Sequence, residues 1–251
     1  MDATVLIVVV GAALAGFVQG LSGFGFGLTA MSVWAWALEP RLAAALAVFG
    51  GMCGQLIAVF SVRRGFDLKR LAPFVLGGLA GLPIGLWLLP RLDVPLFKTV
   101  LGAFLLVVCP LMLVAERLPK VTHGGRIADA AAGAAGGVMG GLGGFTGVVP
   151  TLWCTLRGYE KDAQRSIIQN FNLSMLCVTF ASYLATGILH ASQLPLLAVV
   201  LPAMVVPSLL GARLYARISQ EAFRRVVLGL LAASGAALLV SGAPAVLAGG
   251  P

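Results

Sequence analysis

An apolar run near the start of the chain is interrupted by five glycines within twelve positions. The stretch GFVQGLSGFGFGLTA covers residues 16–30, with glycine at 16, 20, 23, 25 and 27. Each glycine costs a helix about 1 kcal/mol relative to alanine. A helix broken inside an apolar run must still satisfy its freed backbone N–H and C=O groups, so this stretch limits the folds that are open to the chain.

The composition places the break in a membrane. Of the 251 residues, 59% are hydrophobic and 10% are charged, with a mean hydropathy of +1.01, whereas soluble chains carry about 25% charged residues. A membrane-spanning helix needs about 20 apolar residues. Such runs recur at 3–38, 42–62, 71–90, 94–115, 127–156, 166–189, 192–212 and 226–248. The sequence predicts an all-α polytopic membrane protein.

The chain contains two related copies of one unit. VQGLSGFGFGL (18–28) aligns with VMGGLGGFTGV (138–148), and FKTVLGAFLLV (97–107) resembles FRRVVLGLLAA (223–233). We predict a first transmembrane repeat at 1–119 and a second at 120–251. Each repeat comprises a glycine-broken helical hairpin followed by three transmembrane helices, and duplicated units of this kind are typical of secondary transporters.

The basic residues predict the topology. If each glycine-broken run enters the membrane and returns, fourteen of the 17 Lys and Arg lie on one face, and only Arg41, Arg91 and Lys98 lie on the other. If all eight runs simply crossed, the division would be ten to seven. By the positive-inside rule the fourteen are cytoplasmic, which makes both chain ends external and the C-terminus periplasmic. Loops at equivalent positions of the two copies differ in their number of Lys and Arg: where one copy has many, the other has few. The repeats are therefore predicted to be inverted.

The two glycine-rich turns predict an anion site. Non-helical backbone at membrane depth is tolerated only where protein buries it or where it lines a watery cavity. The helix that resumes after a turn points free N–H groups and a positive dipole end at a ligand. The substrate-binding candidates at the turns are Gly20, Ser22, Gly23, Gly25, Gly27, Gly143, Gly144, Thr146 and Gly147.

Two alternatives apply to these residues. The pairs Gly16 and Gly20, and Gly136 and Gly140, have the spacing of small residues that let helices pack closely. The hydroxyls of Ser22 and Thr146 can bond the backbone of their own helix instead of a ligand.

A second polar cluster lies in SIIQNFNLSM, within the run 166–189. Its substrate-binding candidates are Gln169, Asn170 and Asn172, and Gln19 and Gln55 are weaker counterparts in the first copy. Amides are costly in lipid unless they are paired, so they are expected to face the bundle interior. Interhelical hydrogen bonding that holds the bundle together is the alternative to substrate contact.

Other chemistries have little support in the sequence. Cys53, Cys109, Cys154 and Cys177 occur singly and predict no metal site, and no cofactor motif is present. The Lys and Arg flank apolar runs, which indicates membrane topology and not nucleic-acid binding. There is no nucleotide-binding loop and no nucleophile with a nearby base, so no catalytic residue is predicted. Secondary transport of an anion is favoured, with an anion channel or a membrane-embedded enzyme as the alternatives.

The chain resembles the sulfite exporter TauE/SafE family, in the toluene sulfonate uptake permease superfamily. GFVQGLSGFGFG near the start and GGVMGGLGGFTGVVP at the opening of the second half carry the resemblance, which extends over the whole length. It implies a carrier in the bacterial inner membrane for small sulfur-containing anions such as sulfite, sulfonates or sulfoacetate. The partners that the resemblance implies are the anion and the lipid bilayer, with a proton as the candidate coupling ion.

Overall fold

The structure is a computed structural model that describes residues 3–23, 25–61, 67–214 and 220–247, except for the side chains of 60, 61, 161 and 220–224. Helices are the only regular elements in these ranges. The first half contains α1 (Ala3–Ser22), α2 (Phe26–Trp34), α3 (Pro40–Ser61), α4 (Leu68–Leu88) and α5 (Val94–Val114). The second half contains α6 (Gly125–Gly143), α7 (Val148–Leu156), α8 (Lys161–Ala185), α9 (Leu194–Leu214) and α10 (Gln220–Leu247).

The helices confirm the predicted all-α membrane fold. Seven of the described helices are long and apolar enough to cross a membrane, namely α1, α3, α4, α5, α8, α9 and α10. One difference is that α8 begins at Lys161, five residues before the predicted apolar run. Polar residues at a membrane surface can continue a helix without entering the lipid, so hydropathy alone placed this boundary too late.

Each glycine-broken run forms two helices of unequal length. The helices α1 and α6 have 20 and 19 residues, or about 30 Å. The helices α2 and α7 have nine residues each, or about 13 Å. The second arm of each hairpin is therefore too short to cross the whole hydrocarbon layer, which is about 30 Å thick.

The two halves interlock through their long helices. The largest contacts join α1 to α9, α4 to α6, and α5 to α10. In the predicted repeat α1 is equivalent to α6, and α4 is equivalent to α9. The first helix of each copy thus packs on the fourth helix of the other copy, so each copy depends on its neighbour to cover its hairpin. The division into two copies stays a prediction.

Helices α4 and α6 touch backbone to backbone through glycine. A β-carbon on Gly77 would overlap the carbonyl oxygen of Ala130, and one on Gly81 would overlap that of Ala134. From the first contact to the second, the residue number rises by four on both helices, so α4 and α6 run parallel. Between apolar helices in lipid, close packing of small residues is a main source of attraction.

The pairs α1–α9 and α5–α10 differ in direction. Gly16 lies against Met204 and Gly20 lies against Ser208, so α1 and α9 run parallel. In contrast, α5 and α10 run antiparallel, because Gly102 contacts Gly235 whereas Gly242 contacts Pro95. Helices α5 and α10 are equivalent in the predicted repeat, and equivalent helices of inverted copies point in opposite directions. This pairing is consistent with the inverted relation, which stays a prediction.

We expect Gly81→Ala to lower the stability of the protein. The added methyl group would collide with the main chain at Ala134, which cannot move aside as a flexible side chain could. Overpacking of this kind costs about 1–3 kcal/mol, and thermal unfolding in detergent would measure the loss. Gly229→Ala in α10 is the matched control, since a β-carbon there meets nothing within 4 Å. Equal unfolding temperatures for the two variants would contradict the close α4–α6 contact.

Candidate functional site

The first break lies between α1 and α2. Gly23 and Gly25 have φ angles of +76° and +95°, a left-handed conformation that favours glycine. The Gly23 N–H donates to the carbonyl of Gln19 at 2.7 Å. The Gly23 carbonyl in turn accepts from Nε2 of Gln55 on α3 at 2.9 Å. Part of the freed backbone at this turn is thus satisfied by its own helix and by a side chain of a neighbouring one.

The second break lies between α6 and α7 and is satisfied in a similar way. Gly144 has a φ of +75°, and its N–H donates to the carbonyl of Gly140 at 2.9 Å. The hydroxyl of Tyr183, which is fully buried on α8, donates to the carbonyl of Gly141 at 2.7 Å. Part of the C-terminal end of α6 is therefore held by a side chain from another helix.

The two breaks meet in the interior. A β-carbon on Gly27, at the start of α2, would lie 2.8 Å from the carbonyl oxygen of Gly144 and 3.0 Å from that of Gly143. Only a residue without a side chain fits there, because the opposing surface is main chain. The structure thus brings Gly27 of the first predicted turn into contact with Gly143 and Gly144 of the second.

Helix α8 reaches both breaks with buried amide side chains. Gln169 is 4% exposed, and its Nε2 lies 3.4 Å from the β-carbon position of Gly23. Asn172 is 3% exposed, and its Oδ1 accepts from the Thr146 hydroxyl at 2.8 Å. A β-carbon on Gly147 would also press on the Asn172 amide, at 2.6 Å. One helix therefore places amides beside both turns.

Three of the predicted site residues have neighbours that fit the alternative interpretation. Gly20 packs on the backbone of Ser208 in α9. Ser22 is exposed, and its hydroxyl donates to the carbonyl of Val18 in its own helix at 2.8 Å. Asn170 is half-buried and donates to the carbonyl of Ser166 at 2.9 Å. A role in substrate binding stays a prediction for these and for the other candidates.

The buried glutamines of the first copy hold helices together. Gln19 is 4% exposed and donates to the carbonyl of Gly51 on α3 at 3.3 Å. Gln55 is 2% exposed and donates to the first break. Interhelical hydrogen bonding, which the sequence analysis left as an alternative, therefore accounts for these two contacts.

A buried carboxylate that was not predicted from the sequence lies at the far end of the second hairpin. Asp129 lies in the second turn of α6 and is 5% exposed. Its Oδ1 accepts from the indole N–H of Trp153 on α7 at 2.7 Å and lies 3.9 Å from Nε of Arg157. The first hairpin is closed in a related way, because the Trp34 indole donates to the carbonyl of Ile7 at 3.1 Å. The signal in the sequence was a single carboxylate within an alanine-rich stretch.

An apolar pocket lies beside the second break. It is lined by Leu92, Phe97, Val100, Leu101, Phe104, Met139, Leu142 and Phe145. The rings of Phe104 and Phe145 stack with their centroids 6.3 Å apart. Among the residues that the structure describes, no group of three His, Cys, Asp or Glu is placed to hold a metal.

Comparison with known protein families gives one match. The family model described as sulfite exporter TauE/SafE matches residues 8–238, which include both breaks and almost all of the described helices. No curated protein matches the chain, and no solved structure does.

We expect Asp129→Ala to destabilise the second hairpin. The substitution leaves the Trp153 indole and the largely buried Arg157 guanidinium without their carboxylate partner. Removing one member of a buried pair costs about 3–5 kcal/mol, and the distance of 3.9 Å to Arg157 puts this pair at the lower end. Thermal unfolding in detergent would measure the effect. Asp162→Ala at an exposed position of α8 is the control, and equal losses for both variants would contradict the role of Asp129.

Proposed function

Because the chain belongs to the TauE/SafE sulfite exporter family, a family of membrane transporters, we propose that it is a secondary transporter of small sulfur-containing anions. Its substrates are of the sulfite, sulfonate or sulfoacetate class, and it carries them across the bacterial inner membrane. The anion binds between the two glycine-rich breaks. The observation that supports this site best is the contact of Gly27 with Gly143 and Gly144, with α8 reaching both turns.

The start of α2 is suited to an anion. The hydrogen-bond ladder of α2 begins with the N–H of Thr29, which donates to Gly25 at 3.0 Å. The N–H groups of residues 26–28 precede that ladder and belong to the positive end of the helix dipole. The α7 end is poorer in donors, since Pro150 has no N–H. We therefore expect the first break to supply most of the backbone donors.

The side chains around the breaks favour an anion site formed by uncharged groups over one formed by charged groups. Among the described residues, the polar side chains that reach the two turns are amides and hydroxyls, from Gln55, Gln169, Asn172, Thr146 and Tyr183. Asp129 is separated from Gly143 by about 20 Å along α6. A site of neutral donors around helix ends binds an anion without trapping it as strongly as a buried Arg would, which suits a carrier that must release its cargo.

A channel fits the packing less well than a carrier. At Gly27 the two breaks are in van der Waals contact, with main chain on both sides. Passage of an anion requires this contact to open and close, which is the alternating access of a carrier. An enzyme needs a nucleophile activated by a base, and the buried hydroxyl of Thr146 is bonded to an amide, which is no base.

The observed helix directions support a first hairpin that starts from one face of the membrane and returns to the same face. Helix α9 runs parallel to α1, and α10 follows α9 back across the membrane. Since α5 is antiparallel to α10, it runs in the same direction as α1. Helices α3 and α5 share a direction because α4 lies between them. Helices α1 and α3 therefore start from the same face, and α2 leads the chain back towards that face, since Trp34 at its end donates to the carbonyl of Ile7 near the start of α1.

We propose from this topology that both chain ends are periplasmic and that the loops rich in Lys and Arg are cytoplasmic. Some residues of that charge argument lie outside the described part of the chain, namely Arg63, Arg64 and Arg217, together with the side chains of Lys161 and Arg224.

We expect a sulfur oxyanion to raise the unfolding temperature of the purified protein, because a ligand that binds only the folded state stabilises it by mass action. The ligands to compare are sulfite, sulfate, thiosulfate, taurine, sulfoacetate and toluenesulfonate, with chloride as the reference. Gly27→Ala should weaken the response by about tenfold or more in apparent Kd, since misplacing one charge-assisted hydrogen bond costs about 1.5–3 kcal/mol and the methyl group wedges the breaks apart.

Gly51→Ala is the matched control for this experiment. It lies on the neighbouring helix α3, where a β-carbon makes only ordinary contact with Leu176, at 3.4 Å. A protein that responds equally to chloride and to every sulfur anion would contradict the proposed substrate class. Equal ligand responses of the two variants would contradict the proposed site.

We expect a reporter fused to the C-terminus to be periplasmic. A phosphatase fusion there should be active, and a fluorescent protein that folds only in the cytoplasm should be dark. Fusions within 116–124 should give the reverse result, since that joint lies on the cytoplasmic side of the proposed topology. A cytoplasmic C-terminus would show that one of the hairpins does not return to the face from which it starts.

A further inference from the structure

Three buried hydroxyls of the described residues have no hydrogen-bond partner. They belong to Thr29 and Thr151, each 8% exposed, and to Thr179, which is fully buried. Other helical hydroxyls of the chain do find one: Thr99 and Ser182 both donate to the carbonyl four residues earlier, at 2.8 Å. A buried hydroxyl without a partner is unfavourable, so its occurrence near both breaks needs an explanation.

Two of these hydroxyls have the same position relative to the breaks. Thr29 is the fourth residue of α2, and its N–H closes the first turn onto Gly25 at 3.0 Å. Thr151 is the fourth residue of α7, and its N–H closes the first turn onto Gly147 at 2.9 Å. The displacement of 120 residues in the sequence pairs Gly27 with Gly147, but the helix starts pair Gly25 with Gly147. The helix starts are thus displaced by two residues from the sequence alignment: α6 ends one residue later than the counterpart of α1, and the second break contains one residue more than the first.

The third hydroxyl lies beside the second break. The Thr179 Oγ1 on α8 lies 3.6 Å from the β-carbon position of Gly140, and the methyl group of Thr146 lies 2.7 Å from the same point. Thr179 is therefore a close neighbour of Thr146, on the helix that also carries Gln169 and Asn172.

We propose that the hydroxyls of Thr29, Thr151 and Thr179 donate hydrogen bonds to the oxygen atoms of the transported sulfur oxyanion as it passes the two breaks. This inference rests on the proposed transport function and adds three binding residues to it. A sulfite or sulfonate group carries three oxygen acceptors and a negative charge, and hydrogen bonds to an ionised acceptor are stronger than those between neutral groups. The bound anion would supply the partner that each hydroxyl lacks.

The test replaces each threonine by valine, which keeps the shape of the side chain and removes the hydroxyl. We expect the apparent KM for sulfite uptake into proteoliposomes to rise about tenfold in each variant, with a smaller effect on Vmax, as expected for the loss of one hydrogen bond to a charged ligand. The unfolding temperature without substrate should stay unchanged or rise, because an unpaired buried hydroxyl has been removed. A purely structural role predicts the opposite pattern, with lower stability and an unchanged KM.

Thr99→Val is the matched control, since it removes a hydroxyl that is bonded within its own helix, and its KM should stay at the wild-type value. Serine at each of the three positions should also keep the wild-type KM, because serine retains the hydroxyl. If a valine variant does not fold, alanine is compared with serine at the same position.

The outcomes separate this inference from the proposed function. Wild-type protein that transports sulfite, together with valine variants of unchanged KM, would overturn the inference and leave the transport function standing. Wild-type protein that transports none of sulfite, thiosulfate, sulfoacetate and toluenesulfonate would overturn both. A raised KM in the valine variants with recovery in the serine variants supports the three hydroxyls as ligands of the anion.

Discussion

The structure depends on satisfying the backbone groups that two broken helices release inside a membrane. Lipid offers no hydrogen-bond partner, so each freed N–H and C=O must find one within the protein or in a water-filled cavity. Gln55 supplies a partner at the first break, and Tyr183 supplies one at the second. The side chains that bond the breaks come from α3 and α8. The conformation of the two turns therefore depends on the positions of these neighbouring helices.

The same constraint explains why the two halves interlock. A hairpin whose second arm is half the length of the first cannot shield its own turn from lipid. Helix α1 is covered by α9 and helix α6 by α4, so the first arm of each hairpin packs on the other half of the chain. Gly27 then meets Gly143 and Gly144 in the interior. A binding site at that contact belongs to both halves, and a movement of one half against the other would open it to one face or the other.

Much of the fold could be predicted from local features of the sequence, whereas the candidate site could be predicted only in part. Glycine content and hydropathy located the helices and both breaks, because these properties act within one or two helical turns. The sequence could not distinguish Gly20, which packs on Ser208, from Gly27, which meets the other break. It also passed over Asp129 and Thr151, since nothing local indicates that a side chain will be buried with or without a partner.

The sequence by itself determined the number and approximate limits of the apolar helices, the positions of the two breaks, and the uneven distribution of Lys and Arg. These are local quantities, set by backbone propensity and by the cost of burying charge in lipid. The tertiary structure alone decided which groups meet: the short second arms of both hairpins, the α8 amides at both turns, and the three unpaired threonine hydroxyls. Such contacts join residues that are far apart in the chain, and only the packing of whole helices brings them together.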